Sequence, residues 1–445
     1  MATSYSSARS AIDEAATKAQ QNGDAEEVAL GDAIGRVSAC DYHSPISTPE
    51  FDTSAMDGYA IRSESTRLAS PESPVFFRVM GTIAAGDSSL VFPSDTNGWE
   101  DGPESCVEIM TGGRFPDGPT GEMLDACVKV EDTIKISVKV PKLDGCIAVT
   151  KPIPRYANRR FSGEDIQKGD VVLRRGNIIH SSNIMPLASV GIDTIRVRKR
   201  PSVCIWSTGN ELTSHTSRIR DVNGVYLLAA SKEAGTDATF SGSIRDDVNA
   251  HVTAIRKQLE SSPTDIMLTS GGVSVGKFDH VRQALEVLGA TIIFHGVSVR
   301  PGHPVLFALL PSAWGNVAFF GLPGNPGAAA ACFRFFTVPY IRLLLGLDQE
   351  SPLLAQLDDL ALGSSSRKSI MNAPNKGLSC ERFRPGVLRM VGEGEPVVHE
   401  APGVLGPAKM APFVQANCWI HIKANESIEL GQMVSCYPMN NSSLF

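Results

Sequence analysis

The sequence predicts a multidomain α/β plus β protein, and three observations carry that expectation. From about residue 200 onward, short apolar runs alternate with loops and helical patterns, the rhythm of a mostly parallel sheet covered by helices. Residues 63–150 and 376–445 instead hold short β-branched runs between Gly, Pro and Asp clusters, which reads as small β domains. A chain of 445 residues, 42% hydrophobic and 20% charged, has material for roughly three ordinary folded domains.

In chain order, residues 7–21 are rich in Ala, Glu and Lys and read as a weakly amphipathic helix. Residues 27–62 read as short strands and turns that end in FDTSAMDGYAI (51–61), a stretch with two aspartates and no clean helical or strand period. A surface loop is the plain reading of it; a loop carrying metal- or phosphate-handling carboxylates is the sharper one. VFFRVMGTI, SCVEIMTG, ACVKVEDTIKISVKVPKL and GCIAVTKPI then read as strands of a β domain inserted after that loop. PSVCIWSTGNEL is a buried strand running into a polar turn, and GVYLLAASKEAG is a helix closing on Gly235. DDVNAHVTAIRKQLESS places Val252, Ile255 and Leu259 at helical spacing. TDIMLTS and NVAFFGL read as strands, FDHVRQALEVLGA and AAAACFRFFTVPYIRLLLGL as helices, and CWIHIKA and MVSCYPM as strands of a last β domain.

Bulk properties narrow the function classes. With 41 basic and 48 acidic residues the net charge is −7, which speaks against general nucleic-acid binding. Nine scattered cysteines without a C-x-x-C pair speak against structural zinc and for reduced thiols, hence a cytoplasmic protein. MATSYSSARSAIDEAATKAQ lacks the apolar core of a signal peptide, and no apolar run approaches the roughly 18 residues of a membrane span.

In an open parallel sheet, ligands sit beyond the carboxyl ends of the strands. Three loops leave such ends: STGNEL (207–212), SGGVSVGKFD (270–279) and LPGNPGA (322–328). The strand assignments place all three on one edge. Glycines in SGGVSVG let several backbone N–H groups face an anion. Asn325 is placed as a helix N-cap and Pro326 as the first helical residue, which would aim free N–H groups at the same place. Asp246, Asp247 and Asp279 each precede a helix and have capping as their plain role. Glu211 follows STGN, and Arg300 and His303 lie in VRPGHP, where a cation could meet phosphate. Carboxylates beside an anionic ligand call for a bridging hard cation such as Mg2+, so the set points to phosphate or nucleotide-linked chemistry.

These loops resemble those of the molybdopterin molybdenumtransferases, the MoeA family, which includes the E domain of gephyrin. The resemblance rests on PEFDTSAMDGYAIR, on EIMTGGRFPDG with DACVKVEDT, on NRRFSGEDIQKGDVVLRRG, and on STGNEL, SGGVSVGKFD, RPGHP and LPGNP in order. It implies an elongated N-terminal domain (1–62 with 150–198), an inserted β domain (63–149), a MogA-like α/β domain carrying the cleft (199–350) and a C-terminal β domain (351–445). It also implies a homodimer in which Asp57 of one subunit reaches the α/β cleft of the other. The implied reaction inserts molybdate into adenylylated molybdopterin and releases AMP. Asp57, Glu211, Asp246 and Asp279 would arrange Mg2+ or another divalent cation and water. Ser54, Thr208, Gly209, Arg300 and His303 would contact substrate. So would Ser270, Gly271, Gly272, Ser274, Gly276 and Lys277 of the glycine loop, and Pro323, Gly324 and Asn325 of the third loop.

The chain departs from the family pattern at identifiable places. Lys277 stands where an acidic residue is usual, His303 where KPGKP has its second Lys, Asn210 where TGDE has a carboxylate, and Glu108 where a basic residue precedes IMTG. LGPAKMAPFVQANCWI stands in place of a QGSG element. Three readings follow: an insertase, an enzyme on the same scaffold acting on another anionic small molecule in specialised metabolism, or a non-catalytic dimeric scaffold. Retention of Asp57, Glu211, Asp246 and Asp279 argues against complete loss of catalysis. The chain carries no adenylyltransferase companion domain, so an insertase would depend on a separate adenylyltransferase.

Overall fold

A computed structural model describes the chain except residues 1, 21–23, 88–102, 117–123, 137–142, 214–218, 274–278, 314, 359–378, 393, 404–405, 427–428 and 440–445. The chain folds as two compact units. One comprises Met1–Cys40, Gly176–Ile179 and Arg196–Phe445; the other comprises Asp41–Arg175 and His180–Ile195.

The first unit is organised by a six-stranded sheet. Its elements are α1 (Tyr5–Gln20), β1 (Ser202–Thr208), α2 (Val222–Glu233), β2 (Asp237–Ile244), α3 (Val248–Ser261), β3 (Ile266–Ser270), α4 (His280–Val287), β4 (Thr291–His295), β5 (Leu306–Ser312), β6 (Gly315–Leu322) and α5 (Pro326–Cys332). The strand order is β2-β1-β3-β6-β5-β4. β2, β1, β3 and β6 run parallel, while β5 and β4 add an antiparallel flank. Every residue of β3 is buried, as a parallel strand covered on both faces requires. The helical spacing read from 252, 255 and 259 corresponds to α3, whose Val252 and Ile255 are buried. α5 continues through a π turn (Phe333–Thr337) into Val338–Leu344, and its residues from Gly327 to Ile341 are all buried. Against this central helix α1 packs Ala8, Ile12 and Ala16, an i, i+4, i+8 stripe, in one core with Phe336, Tyr340 and Ile341.

The same unit carries a second six-stranded sheet toward its C-terminus. Glu381–Val391 pairs with Glu395–Glu400 and with Cys418–Ile422, and Met433–Pro438 links Cys418–Ile422 to Leu353–Leu357, so five strands close into a ring. A two-residue strand, Val299–Arg300, attaches to its rim beside Glu381 and Arg382.

The second unit holds a six-stranded sheet in the order Ala126–Lys129, Gly58–Ile61, Glu104–Ile109, Val75–Ile83, Cys146–Val149 and Thr133–Lys135. Two short ribbons, Thr53–Ser54 with Arg159–Arg160 and Tyr42–His43 with Val171–Leu173, complete it with the helix Ser181–Ser189. Every residue of Gly58–Ile61 is buried. A Cβ on Gly58 would lie 2.0 Å from Val128 O and 2.8 Å from Cys127 Sγ, so only glycine lets these neighbouring strands approach. All nine cysteines are free thiols. Among the described residues no helix is long and apolar enough to cross a membrane.

Candidate functional site

In the second unit, three sequence motifs converge on the loop 51–57. Asp57 is exposed, and its Oδ1 accepts from Thr111 N (2.7 Å) and Thr111 Oγ1 (2.8 Å), joining SAMDGY to EIMTGG. Those two donors hold its carboxyl below the usual carboxylate range, so it carries a full charge at neutral pH. Asp52 is fixed by the third motif: Arg159 Nε donates to Oδ2 (2.9 Å) and Ser162 N to Oδ1 (2.7 Å). Burial pushes the Asp52 carboxyl up, but these donors outweigh it and the net shift is downward. Asn158 spans the same region, its Nδ2 donating to Cys127 O and its carbonyl accepting from Ala55 N. Ser54 is buried and its hydroxyl donates to Met56 O at 2.6 Å, so it shapes the loop from inside. Glu108, the departure before IMTG, accepts from Thr82 Oγ1 (3.0 Å) and Tyr59 OH (3.4 Å), with Lys135 Nζ 3.8 Å away.

In the first unit, the strand register brings the three loops to one edge. Ser207 of β1 is opposite Ser270 of β3, and Ser270 is opposite Leu322 of β6. Beyond those residues the backbones are laced together. Thr208 Oγ1 donates to Ser270 O (3.2 Å), Ser270 Oγ to Pro323 O (3.3 Å), and Gly271 N to Leu322 O (2.9 Å). Gly271 has φ +97°, and a Cβ there would lie 2.6 Å from Thr208 Oγ1. The glycine is therefore required by both its conformation and its neighbour. Gly324 lies against it, its missing Cβ 3.5 Å from Gly271 Cα. The Gly271 N–H is thus spent within the sheet. Ser274, Gly276 and Lys277 lie outside the described residues.

The acidic candidates differ in what they do. Asp279 is 6% exposed and caps α4, Oδ1 accepting from Arg282 N at 3.1 Å. Its Oδ2 is 3.4 Å from His295 Nδ1, and His295 Nε2 in turn is 3.4 Å from Val273 O. Burial raises the Asp279 carboxyl above its ordinary value, with the Arg282 N–H and His295 opposing it. Capping divides differently between the paired aspartates than expected. Asp247 caps α3 through Ala250 N (2.8 Å), whereas half-buried Asp246 accepts from Asn210 N (3.1 Å) and donates its own N–H to Asn210 Oδ1 (3.2 Å). Glu211 is exposed beside Gly209, whose N–H donates to Ile244 O.

The cationic and helix-start candidates are also constrained. Arg300 is exposed, on the strand that joins the C-terminal sheet. His303 Nδ1 is 2.7 Å from Val297 O, which ties the ring to its own turn. Asn325 occupies the N-cap position of α5 without a side-chain cap, and the Gly327 N–H donates to Pro407 O at 2.8 Å. The helix start therefore does not offer that N–H to a ligand, because the segment after residue 405 has already taken it.

Three residues that matter here were not singled out from the sequence: Thr111, Asn223 and His295. Each acts on a residue distant in the chain, and neither spacing nor residue type announces such a partner. Asn223 lies in the first turn of α2 and also lines a cleft of about 400 Å3 with Tyr226, Glu233, Pro326, Phe333 and Phe413. Burial raises Tyr226 to about 12 and also raises Glu233. Among the described residues no group of three or more His, Cys, Asp or Glu side chains could hold a metal ion. Both oxygens of Asp279 are engaged, one by a helix end and the other by an imidazole.

The chain is similar to known proteins over most of its length. Residues 3–191 match the MoeA N-terminal region (domain I and II), and residues 204–343 match a probable molybdopterin binding domain. The molybdopterin molybdenumtransferase of Staphylococcus aureus (strain COL) is 31% identical over 324 residues, covering 72% of this chain and 71% of the relative. That of Synechococcus elongatus is 33% identical over 363 residues, covering 80% of this chain and 81% of the relative. The molybdopterin biosynthesis MoeA protein of Pyrococcus horikosii superposes with a TM-score of 0.70 at 26% identity, covering 96% of this chain and 98% of that one. Its multidomain α/β plus β architecture and its sequence together place this chain in the MoeA family of molybdopterin molybdenumtransferases.

Proposed function

We propose that this protein is a molybdenum insertase of molybdenum cofactor biosynthesis, taking adenylylated molybdopterin and molybdate as substrates and releasing AMP. The observation that supports it most is the in-register ending of β1, β3 and β6, whose loops are hydrogen-bonded to one another, with glycines at 271, 272 and 324. In this reading Gly272 and Gly324, with Thr208, Gly209, Ser270, Pro323 and Asn325 around them, cradle the phosphates, and Arg300 supplies a cation. Ser274, Gly276 and Lys277 would extend the cradle with His303 beside it, and Ser54 supports the loop that carries Asp57. Asp57, Glu211 and Asp246 supply the carboxylates, and Asp279 caps the helix that follows the glycine loop. No covalent nucleophile is required, and catalysis is positioning plus electrostatic stabilisation. A divalent cation such as Mg2+ belongs to the family reading, although among the described residues no group of three or more His, Cys, Asp or Glu side chains could hold one.

The same reading divides the chain into four domains (1–62 with 150–198, 63–149, 199–350 and 351–445), places the protein in the cytoplasm, and makes it a homodimer in which Asp57 faces the partner's crevice. A separate adenylyltransferase would supply the activated substrate. A second reading, an enzyme on this scaffold acting on another anionic small molecule, is favoured by one observation: Asn210 stands where the family pattern has a carboxylate and is bonded reciprocally to Asp246.

Expression in cells lacking their molybdenum insertase, followed by assay of a molybdoenzyme, tests the proposal. Rescue that Asp57→Asn abolishes is the expected result. A folded dimer that gives no rescue overturns it in favour of the second reading. Stable capture of a peptide partner, unaffected by Asp279→Asn and without rescue, would point to a scaffold.

A further inference from the structure

The crevice is built from the ends of β3 and β6, and one side chain from outside the sheet touches both. Asn223 Nδ2 donates to Ser270 Oγ at 2.7 Å and to Gly324 O at 2.7 Å. A carbonyl oxygen only accepts, so the atom facing Gly324 is the amide nitrogen and both of its hydrogens are committed. Ser270 Oγ, having accepted from Asn223, passes its own hydrogen to Pro323 O. The two loops are therefore joined twice through the Asn223–Ser270 pair. The side chain is itself held firmly: Asp221 caps α2 by accepting from Gly224 N at 2.8 Å, which fixes the first turn carrying Asn223. Asn223 also lines the cleft between α2 and the α5 helix, at Pro326.

We infer that Asn223 is a positioning residue that sets the separation of the 270–272 and 323–325 loops, and so the width of the anion crevice. Its role rests on the insertase reading only for the identity of the ligand, since the clamp is a property of the loops themselves. The loops are already laced by Gly271 N–H to Leu322 O and by Ser270 Oγ to Pro323 O, and Asn223 adds two bonds from outside the sheet, from a fixed helix turn. Loss of both weakens an anion's hold by roughly tenfold to a hundredfold, the combined effect of two ordinary hydrogen bonds.

The test compares the parent chain with Asn223→Leu, which is similar in size and uncharged but cannot donate, and with Asn223→Asp, which keeps the shape and suits a helix start. Three quantities are read: affinity for inorganic pyrophosphate, amide hydrogen exchange at Gly271 and Gly324, and the KM and kcat for adenylylated molybdopterin. The expected result is pyrophosphate binding at least about tenfold weaker in both variants and faster exchange at both glycines. KM should rise about tenfold with kcat changed by less than about threefold. The thermal midpoint should fall by no more than a few degrees, the share expected for two lost hydrogen bonds. Parent-like exchange and parent-like pyrophosphate affinity in Asn223→Leu overturn the inference. If the parent does not turn over adenylylated molybdopterin while exchange still responds to Asn223→Leu, the insertase reading fails and the clamp stands.

Discussion

In the β-rich unit Asp57 stands exposed with Thr111 donating to it twice, whereas in the α/β unit Asp279 lies buried, capping α4 and facing His295. Both aspartates belong to motifs of comparable prominence, yet their surroundings move their carboxyls in opposite directions, Asp57 down and Asp279 up. The difference teaches that a motif carboxylate is a chemical group only where the fold leaves it ionised and accessible. Asp57 is presented outward as a charge, and Asp279 starts the helix whose Val281 N–H donates to Gly272 O.

The largest effect expected from breaking this contrast is at Gly58, next to Asp57. A methyl group there must displace the Val128 carbonyl, so Gly58→Ala should cost about 3 kcal/mol or more in urea unfolding of the chain. Asp57→Asn removes the charge and keeps an acceptor for Thr111, so the protein should fold normally while turnover falls about a hundredfold or more in a purified insertase assay. Asp279 should behave in the opposite sense. Asp279→Ala loses the helix cap and should cost about 1 kcal/mol, while Asp279→Asn, a good cap without charge, should stay within about 0.5 kcal/mol of the parent by thermal denaturation. The folded Asp279 carboxyl lies above its ordinary value of 3.8, so the folded state binds the extra proton. Its contribution to stability is therefore lost as pH rises from 3.8 through that raised value, and Asp279→Asn should remove this part of the pH dependence.

The smallest effect is the sharpest probe of the loop itself. Asp57 has a lowered carboxyl, so it contributes stability above 3.8 that is lost as pH falls through its depressed folded value. Thr111→Val removes the hydroxyl donor and leaves the backbone one. A carboxyl NMR titration should then show Asp57 moving part of the way back toward 3.8.

Particular residues show how far the sequence could be read. STGNEL, SGGVSVGKFD and LPGNPGA were legible as loops at one edge, because parallel strands are continuous apolar runs and glycines punctuate their ends. The antiparallel flank of β4 and β5 was not singled out, since periodicity does not give strand direction. Asp246 and Asp247 both looked like caps, and adjacency in the chain could not tell which one points at Ala250 N. Asn325 was placed correctly at the N-cap position, but its helix start was already met by Pro407 from much later in the chain.

By itself the sequence determined the family, the α/β plus β class and the three loops of the crevice, because each is written in local patterns of apolar spacing and glycine. Only the tertiary structure decided that Thr111 holds Asp57, that Asn223 joins Ser270 to Gly324, and that Asp279 is buried against His295. Those are side-chain contacts between distant segments. They depend on how packed elements bring polar atoms to within hydrogen-bond distance, a property no local pattern encodes.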